Sequence, residues 1–328
     1  MKKTRLLNIE LARIFAMLLI FVWHINIHYI PEANLPMGQT VKTLNYICLF
    51  IPFHVDLFIL ISGFFGIHKR KTPFIKTLYL VLFYTLLLNI ISFIDGGPFN
   101  WKEFLFPISQ SPWWFMQVYL LLVLVSPIIE KYISLSSNKE FCVLLLIFLF
   151  LDVYLGFFWK HLSFYNHGYD LLNVITVYLL GVCFRKNIYI AKYLTNVKLS
   201  LSLFVICCII RYKLQPITLF SWSDYCSPIT LLMALCIFGL FLNINISDKY
   251  SKPILWFASS AVSVYLITDY PPFRSMILPL FSKYFLYFEV NLWYLQLAYV
   301  FGFIIILFLV CCTVDKIRIA IQKRIIKN

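Results

Sequence analysis

Long apolar runs dominate the chain, and short polar segments separate them. A transmembrane helix needs about 20 mostly apolar residues, and ten stretches reach or approach that length. They are residues 9–30, 44–67, 74–94, 112–129, 140–158, 169–184, 196–211, 226–246, 253–270 and 290–313. The pattern predicts an all-α, polytopic integral membrane protein of ten transmembrane helices, in which residues 1–328 form a single membrane-embedded domain.

The distribution of positive charge predicts the orientation of these helices. Cytoplasmic loops of membrane proteins carry an excess of Lys and Arg. If the N-terminus is cytoplasmic, 20 of the 28 Lys and Arg residues fall in the inner segments and 7 fall in the outer loops. We therefore expect both termini to be cytoplasmic.

The composition supports the membrane assignment. Of the 328 residues, 62% are hydrophobic and 13% are charged, whereas soluble domains usually have ~45–50% apolar and ~25% charged residues. The net charge of +14 follows mostly from the topology, so the expected partners include membrane lipids but no nucleic acid. The nine cysteines lie in or beside apolar runs without the spacing of a metal site, so no metal is predicted.

Ionisable side chains inside a bilayer are costly, and each is therefore a functional candidate. The first apolar run carries Glu10, Arg13, His24 and His28, which share a face about 60° wide on an α-helix. Ordinary packing would also explain them, with Glu10 paired to Arg13 at i,i+3 and the histidines bonded to neighbouring helices. The shared face favours a catalytic role for His24, with Glu10 and His28 in supporting roles.

The second apolar run adds further candidates. Asp56 is an intramembrane carboxylate whose expected partner is a His or Arg of the first helix, and Pro52 should kink or break the helix before it. Ser62 and Gly63 allow a close helix contact. Asp152 and Asp269 are additional buried candidates in later runs.

A basic cluster follows the second run, at the expected cytoplasmic side. It consists of His68, Lys69, Arg70 and Lys71. The cluster is either a topology signal or a site for phosphate groups, and the pattern alone supports both interpretations.

Several of these segments resemble the acyltransferase type 3 family of membrane proteins. Arg13 and His24 have ten residues between them, and Glu10 occupies the acidic position three residues before the arginine. Three further segments are similar to the family's second helix, fourth helix and a late segment: Val55–Phe64, Trp114–Pro127 and Val264–Thr268. The late segment often ends in His, and Thr268 stands there in this chain, a departure that argues against a catalytic role at that position.

The resemblance implies a function and several residue roles. The family moves acyl groups, usually acetyl from acetyl-CoA, to hydroxyls of surface carbohydrates in bacteria, which implies a location in the inner membrane. His24 would be the catalytic histidine. The residue pattern itself adds Asp56 as a second catalytic candidate, paired with His24, and Ser62 as a supporting residue. The CoA phosphates would be bound by Arg13, Lys69, Arg70 and Lys71.

The chemistry of acyl transfer fits a histidine. An alcohol is a poor nucleophile near neutral pH, so the transfer needs a base, and an imidazole has an ordinary pKa of about 6.5. His24 would deprotonate the sugar hydroxyl directly or carry the acetyl group transiently. The acceptor would be O-antigen, capsule, exopolysaccharide or a lipid-linked precursor.

Two other functions fit part of the pattern. Ten helices with the intramembrane residues Asp56, Asp152 and His24 also describe a polysaccharide exporter or flippase, although the sequence shows no interrupted helices in matching halves. The same scaffold could alternatively transfer a different acyl group, such as succinyl.

Overall fold

The computed structural model describes residues 6–68, 71–217, 219–288 and 292–325. Within these ranges the ordered elements are helices and there is no β-strand, which confirms the all-α prediction. The longer helices are α1 (Leu7–Glu32), α2 (Gln39–Leu49), α3 (His54–Phe65), α4 (Lys71–Ile94), α5 (Trp101–Leu105), α6 (Trp114–Leu135), α7 (Asn138–Phe158), α8 (Leu171–Arg185), α9 (Tyr189–Leu194), α10 (Val197–Leu214), α11 (Pro228–Leu242), α12 (Ser251–Ala258), α13 (Ala261–Thr268), α14 (Pro271–Tyr287) and α15 (Trp293–Ile325).

Six helical segments in the described ranges are long and apolar enough to cross a membrane. They are α1, the segment Gln39–Phe65, α4, α6, α7 and Trp293–Arg324 of α15. Helices α8 and α11 are apolar but shorter. These segments support an integral membrane protein, while the count of ten spans and the orientation of the termini stay predictions.

The second apolar run is broken where Pro52 predicts a break. Helix α2 ends at Leu49 and α3 begins at His54, with Pro52 between them. Proline lacks the N–H that a helix interior needs, and its ring clashes with the preceding turn. The interruption therefore follows directly from the sequence.

Helix α14 lies in a segment that the hydropathy pattern predicts to be a loop. Pro271 and Pro272 form its first turn, where the missing N–H groups have no helical acceptor in any case. Arg274 and Lys283 lower its hydropathy, so this helix does not stand out in the sequence as an apolar run.

The helices cluster into two compact units, each made of three stretches of the chain. Unit 1 comprises Met1–Ala16, Pro52–Lys76 and Phe115–Ile254. Unit 2 comprises Met17–Ile51, Thr77–Trp114 and Leu255–Asn328. The single membrane domain over residues 1–328 stays a prediction.

In unit 1, α3 and α8 pack with their backbones in direct contact. A Cβ atom added to Gly63 would lie 2.0 Å from the carbonyl oxygen of Tyr178, and one added to Gly181 would lie 2.4 Å from that of Leu60. No side chain fits between the two helices at these points. The close helix contact predicted at Ser62 and Gly63 is therefore present.

In unit 2, a buried carboxylate joins α4, α13 and α15. Asp315 accepts hydrogen bonds from Tyr84 Oη at 2.8 Å, Ser263 Oγ at 2.6 Å and Arg318 Nε at 2.5 Å. Its charge is thus paired and hydrogen-bonded, as a buried carboxylate requires. These hydrogen bonds link the three helices within unit 2.

Candidate functional site

His24 lies in unit 2, at a change in the geometry of α1. The α-helical part of α1 ends at His24, and Ile25–Tyr29 form a π-helical stretch. Such stretches are rare in helices and frequent at functional sites. His24 is buried with 9% of its surface exposed, and the centroid of its ring lies 5.5 Å from that of His28, which is partly exposed.

One carboxylate oxygen faces both imidazoles. Asp269 follows the last residue of α13, and its Oδ1 lies 3.7 Å from Nδ1 of His24 and 3.6 Å from Nε2 of His28. These distances are slightly longer than hydrogen bonds, and catalytic hydrogen bonds are often long before substrate binds. The carboxylate is buried, so it acts on the histidines through a medium of low dielectric constant.

A buried arginine connects Asp269 to a second carboxylate. Arg274 Nη1 donates to Asp269 Oδ1 at 3.0 Å and to the Asp269 carbonyl oxygen at 2.7 Å. Its Nη2 donates to Glu32 Oε1 at 2.8 Å, and its Nε donates to Glu32 Oε2 at 3.3 Å. Glu32 Oε1 lies 3.9 Å from Nδ1 of His28. His24, His28, Glu32, Asp269 and Arg274 therefore form one cluster of ionisable side chains.

The local fold explains how these side chains meet. Glu32 follows His28 by four residues and so stands one turn further along α1. Arg274 lies in the first turns of α14, where its N–H donates to the Tyr270 carbonyl at 3.0 Å. Thr268 bonds within its own helix, because its Oγ1 donates to the Val264 carbonyl at 2.9 Å.

The residue after Asp269, Tyr270, connects the cluster to a further acidic side chain and to a buried aromatic ring. The neighbouring Tyr270 donates from Oη to Glu103 Oε2 at 3.0 Å, and its ring centroid lies 5.7 Å from that of the buried Trp113. Partial burial raises the pKa of the Glu103 carboxyl, and hydrogen bonds from Tyr270 and Asn100 oppose that effect.

His24, His28 and Asp269 also offer three ligand atoms within 4.8 Å of one another, a spacing that a metal ion could use. The Asp269 oxygen nearest the histidines already accepts an N–H from Arg274, and the guanidinium cation would repel a metal cation. The donor set is therefore poorly suited to a metal, and the absence of a metal stays a prediction.

In unit 1, the expected pair at the start of α1 is present. Arg13 Nη1 donates to Glu10 Oε2 at 2.6 Å, and the Arg13 side chain is 27% exposed. Lys71 is exposed at the first turn of α4. Lys69 and Arg70 lie outside the described residues.

Asp56 and Ser62 both lie on α3 of unit 1. Asp56 is completely buried in the first turn of α3 and interacts electrostatically with Asp152, which lies on the π-helical stretch of α7. Ser62 Oγ lies 3.3 Å from Tyr119 Oη and so connects α3 to α6. The pairing of Asp56 with His24 stays a prediction, because the two residues belong to different units.

A comparison with protein families decides the class of this protein. Residues 6–315, nearly the whole chain, match a family described as an acyltransferase domain, type 3. The chain belongs to the acyltransferase type 3 family. No curated protein and no solved structure matches it. The family and the apolar helices together indicate an integral membrane acyltransferase.

Sequence reasoning about this acyltransferase missed Glu32 and Arg274 and gave Asp269 no particular partner. Glu32 carried a usable signal, since it follows His28 at the i,i+4 spacing. Arg274 carried none, because its partners come from α1 and from the residue after α13. The partner of Asp269 depends on how helices that are distant in sequence pack.

Proposed function

We propose that this acyltransferase lies in the bacterial inner membrane. There it transfers acetyl from cytoplasmic acetyl-CoA to a hydroxyl of a cell-surface polysaccharide. The acceptor is O-antigen, capsule, exopolysaccharide or a lipid-linked precursor of one of them. The proposal rests on one observation in an acyltransferase family member: the buried His24 imidazole lies beside the Asp269 carboxylate.

In the direct route, neutral His24 accepts the proton of the acceptor hydroxyl while its oxygen attacks the acyl carbonyl. The new C–O bond forms, the C–S bond breaks, and the CoA thiolate leaves. The thiolate then takes the proton from His24, so the products are the acetyl ester and free CoA. The Asp269 carboxylate orients the imidazole and stabilises its transient positive charge.

The alternative route places the acetyl group on His24 first. The imidazole nitrogen attacks the thioester, the C–S bond breaks, and the CoA thiolate leaves. The acceptor oxygen then attacks the acyl group, the C–N bond to His24 breaks, and the hydroxyl proton passes to the thiolate. Both routes need a neutral imidazole at the start and give the same products.

The cations near the start of α1 and α4 are proposed to bind the donor, acetyl-CoA. Arg13 is partly exposed and Lys71 is exposed, and together with Lys69 and Arg70 they would bind the phosphates of CoA through charge-assisted hydrogen bonds. Glu10 holds the Arg13 guanidinium in place.

A second candidate function is supported by the two buried carboxylates of unit 1. Asp56 and Asp152 are both buried, with 0% and 1% of their surfaces exposed, and intramembrane acids are typical of transport pathways. A polysaccharide exporter would use them without acyl transfer. Loss of an exporter would remove polymer from the cell surface, whereas loss of a transferase would remove only its acyl groups.

Labelled acetyl-CoA distinguishes these functions. Membranes with and without the protein would be incubated with the donor and purified polymer or its precursor, and succinyl-CoA would be tested in parallel. Protein-dependent acetyl label in the acceptor is the expected result. Label from succinyl-CoA but not from acetyl-CoA would show that the transferred group is succinyl. Normal acylation of the polymer together with loss of polymer from the surface of a deletion strain would favour the exporter.

A further inference from the structure

We propose that Arg274 is a positioning residue that holds the Asp269 carboxylate beside His24 and balances the negative charge there. This inference rests on the proposed role of His24 as a base. Arg274 touches neither imidazole through a hydrogen bond, so its effect on the reaction passes through Asp269 and Glu32.

Arg274 is 6% exposed, and its guanidinium holds the side chain and the main-chain carbonyl of Asp269 with one nitrogen and Glu32 with the other two. These bonds fix which oxygen of Asp269 faces the histidines. A lysine ammonium is a single point of charge and cannot reproduce the planar fork.

Asp269 lies beside both histidines, Glu32 lies beside His28, and Arg274 is the cation that pairs with both carboxylates. Without Arg274, two carboxylates would face the imidazoles with no fixed cation, and nearby negative charge favours the imidazolium form. An imidazolium cannot accept the proton of the acceptor hydroxyl. His24 lies beside His28, Tyr265 and Asp269, while Arg274 and Glu32 are joined to this group through Asp269 and His28.

The two members of the Arg274–Glu32 pair should therefore shift the pH profile in opposite directions. Arg274→Gln removes the cation, so transfer should need a higher pH, with the acidic limb of kcat/KM displaced upward by about one unit or more. Glu32→Gln removes an anion while keeping an oxygen for Arg274 to bind, so the same limb should move downward. Arg274→Lys should lie between Arg274→Gln and the unchanged protein.

The experiment measures kcat/KM for acetyl transfer against pH in membranes with matched amounts of each protein. Arg211→Lys is the control, because Arg211 is another buried arginine, located in unit 1 and bonded to the Trp222 carbonyl and Ser223. Its profile should match that of the unchanged protein in shape.

Opposite shifts for Arg274→Gln and Glu32→Gln would support the proposal. Profiles of unchanged shape and lower amplitude would overturn it and leave Arg274 a purely structural residue. If Arg274→Gln does not accumulate, the smaller upward shift of Arg274→Lys decides the question. A different result would show that the proposed function itself is wrong. In that case His24→Ala would retain acetyl transfer at the normal rate.

Discussion

Nδ1 of His24 lies 3.7 Å from Oδ1 of Asp269, and both residues are almost completely buried in unit 2. The contact joins the end of the α-helical part of α1 to the end of α13. An imidazole in this position can gain a proton only if its positive charge is stabilised, and the carboxylate provides that stabilisation. The contact is therefore the basis for assigning the chemistry of the site.

Asp269→Asn should reduce acyl transfer more than it reduces protein amount. The amide keeps the size of the side chain but removes the negative charge beside His24. An opposite charge within about 4–6 Å typically favours the charged form of a group by roughly 1–3 pKa units, so kcat should fall by about tenfold or more. Asp248→Asn, in an exposed turn, serves as the control. Full activity of Asp269→Asn at equal protein amount would remove Asp269 from the mechanism.

Arg13→Gln should weaken the use of acetyl-CoA without abolishing the chemistry. The substitution removes a cation but retains hydrogen-bonding capacity, so KM for acetyl-CoA should rise by about tenfold while kcat changes less. Initial rates over a range of donor concentrations test this. An unchanged KM combined with a large fall in kcat would place Arg13 in the chemical step instead of donor binding.

Gly63→Ala should destabilise unit 1. The new Cβ would lie 2.0 Å from the Tyr178 carbonyl oxygen, so α3 and α8 would have to separate. Overpacking of this kind costs typically 1–3 kcal/mol and occasionally more. Thermal stability in detergent should fall clearly. Gly302→Ala is the matched control, because no atom lies within 4 Å of its added Cβ, and equal melting temperatures for the two variants would contradict the close packing.

Removal of divalent metal should leave acetyl transfer unchanged. Arg274 already donates to the Asp269 oxygen that a metal ion would use. Purified protein treated with a strong chelator and exchanged into metal-free buffer should retain its rate. A loss of activity that added zinc restores would show that His24, His28 and Asp269 bind a metal after all.

The sequence allowed some of these features to be predicted, for identifiable reasons. The pair of Glu10 with Arg13 and the close approach at Gly63 depend on helix periodicity and residue size, which are local properties. The break at Pro52 follows from the covalent structure of proline. These features appear where the sequence predicted them.

The surroundings of His24 needed the structure. Asp56 was the expected carboxylate partner because it stands in the neighbouring apolar run, yet the carboxylate beside His24 within unit 2 is that of Asp269. Arg274 lies on α14, and the prolines and charged residues of this helix keep its sequence from forming an apolar run. Contacts between helices that are distant in sequence have no periodic signal in one chain.

The most direct test of the account is the rate of acetyl transfer by His24→Gln, measured beside the unchanged protein and a His161→Gln control in membranes with equal protein. His161 is an exposed residue of a loop in unit 1. General base catalysis contributes about 10²- to 10⁴-fold, so His24→Gln should lose at least about 100-fold while His161→Gln keeps the normal rate. Transfer by His24→Gln at the rate of the unchanged protein would contradict the central role of His24.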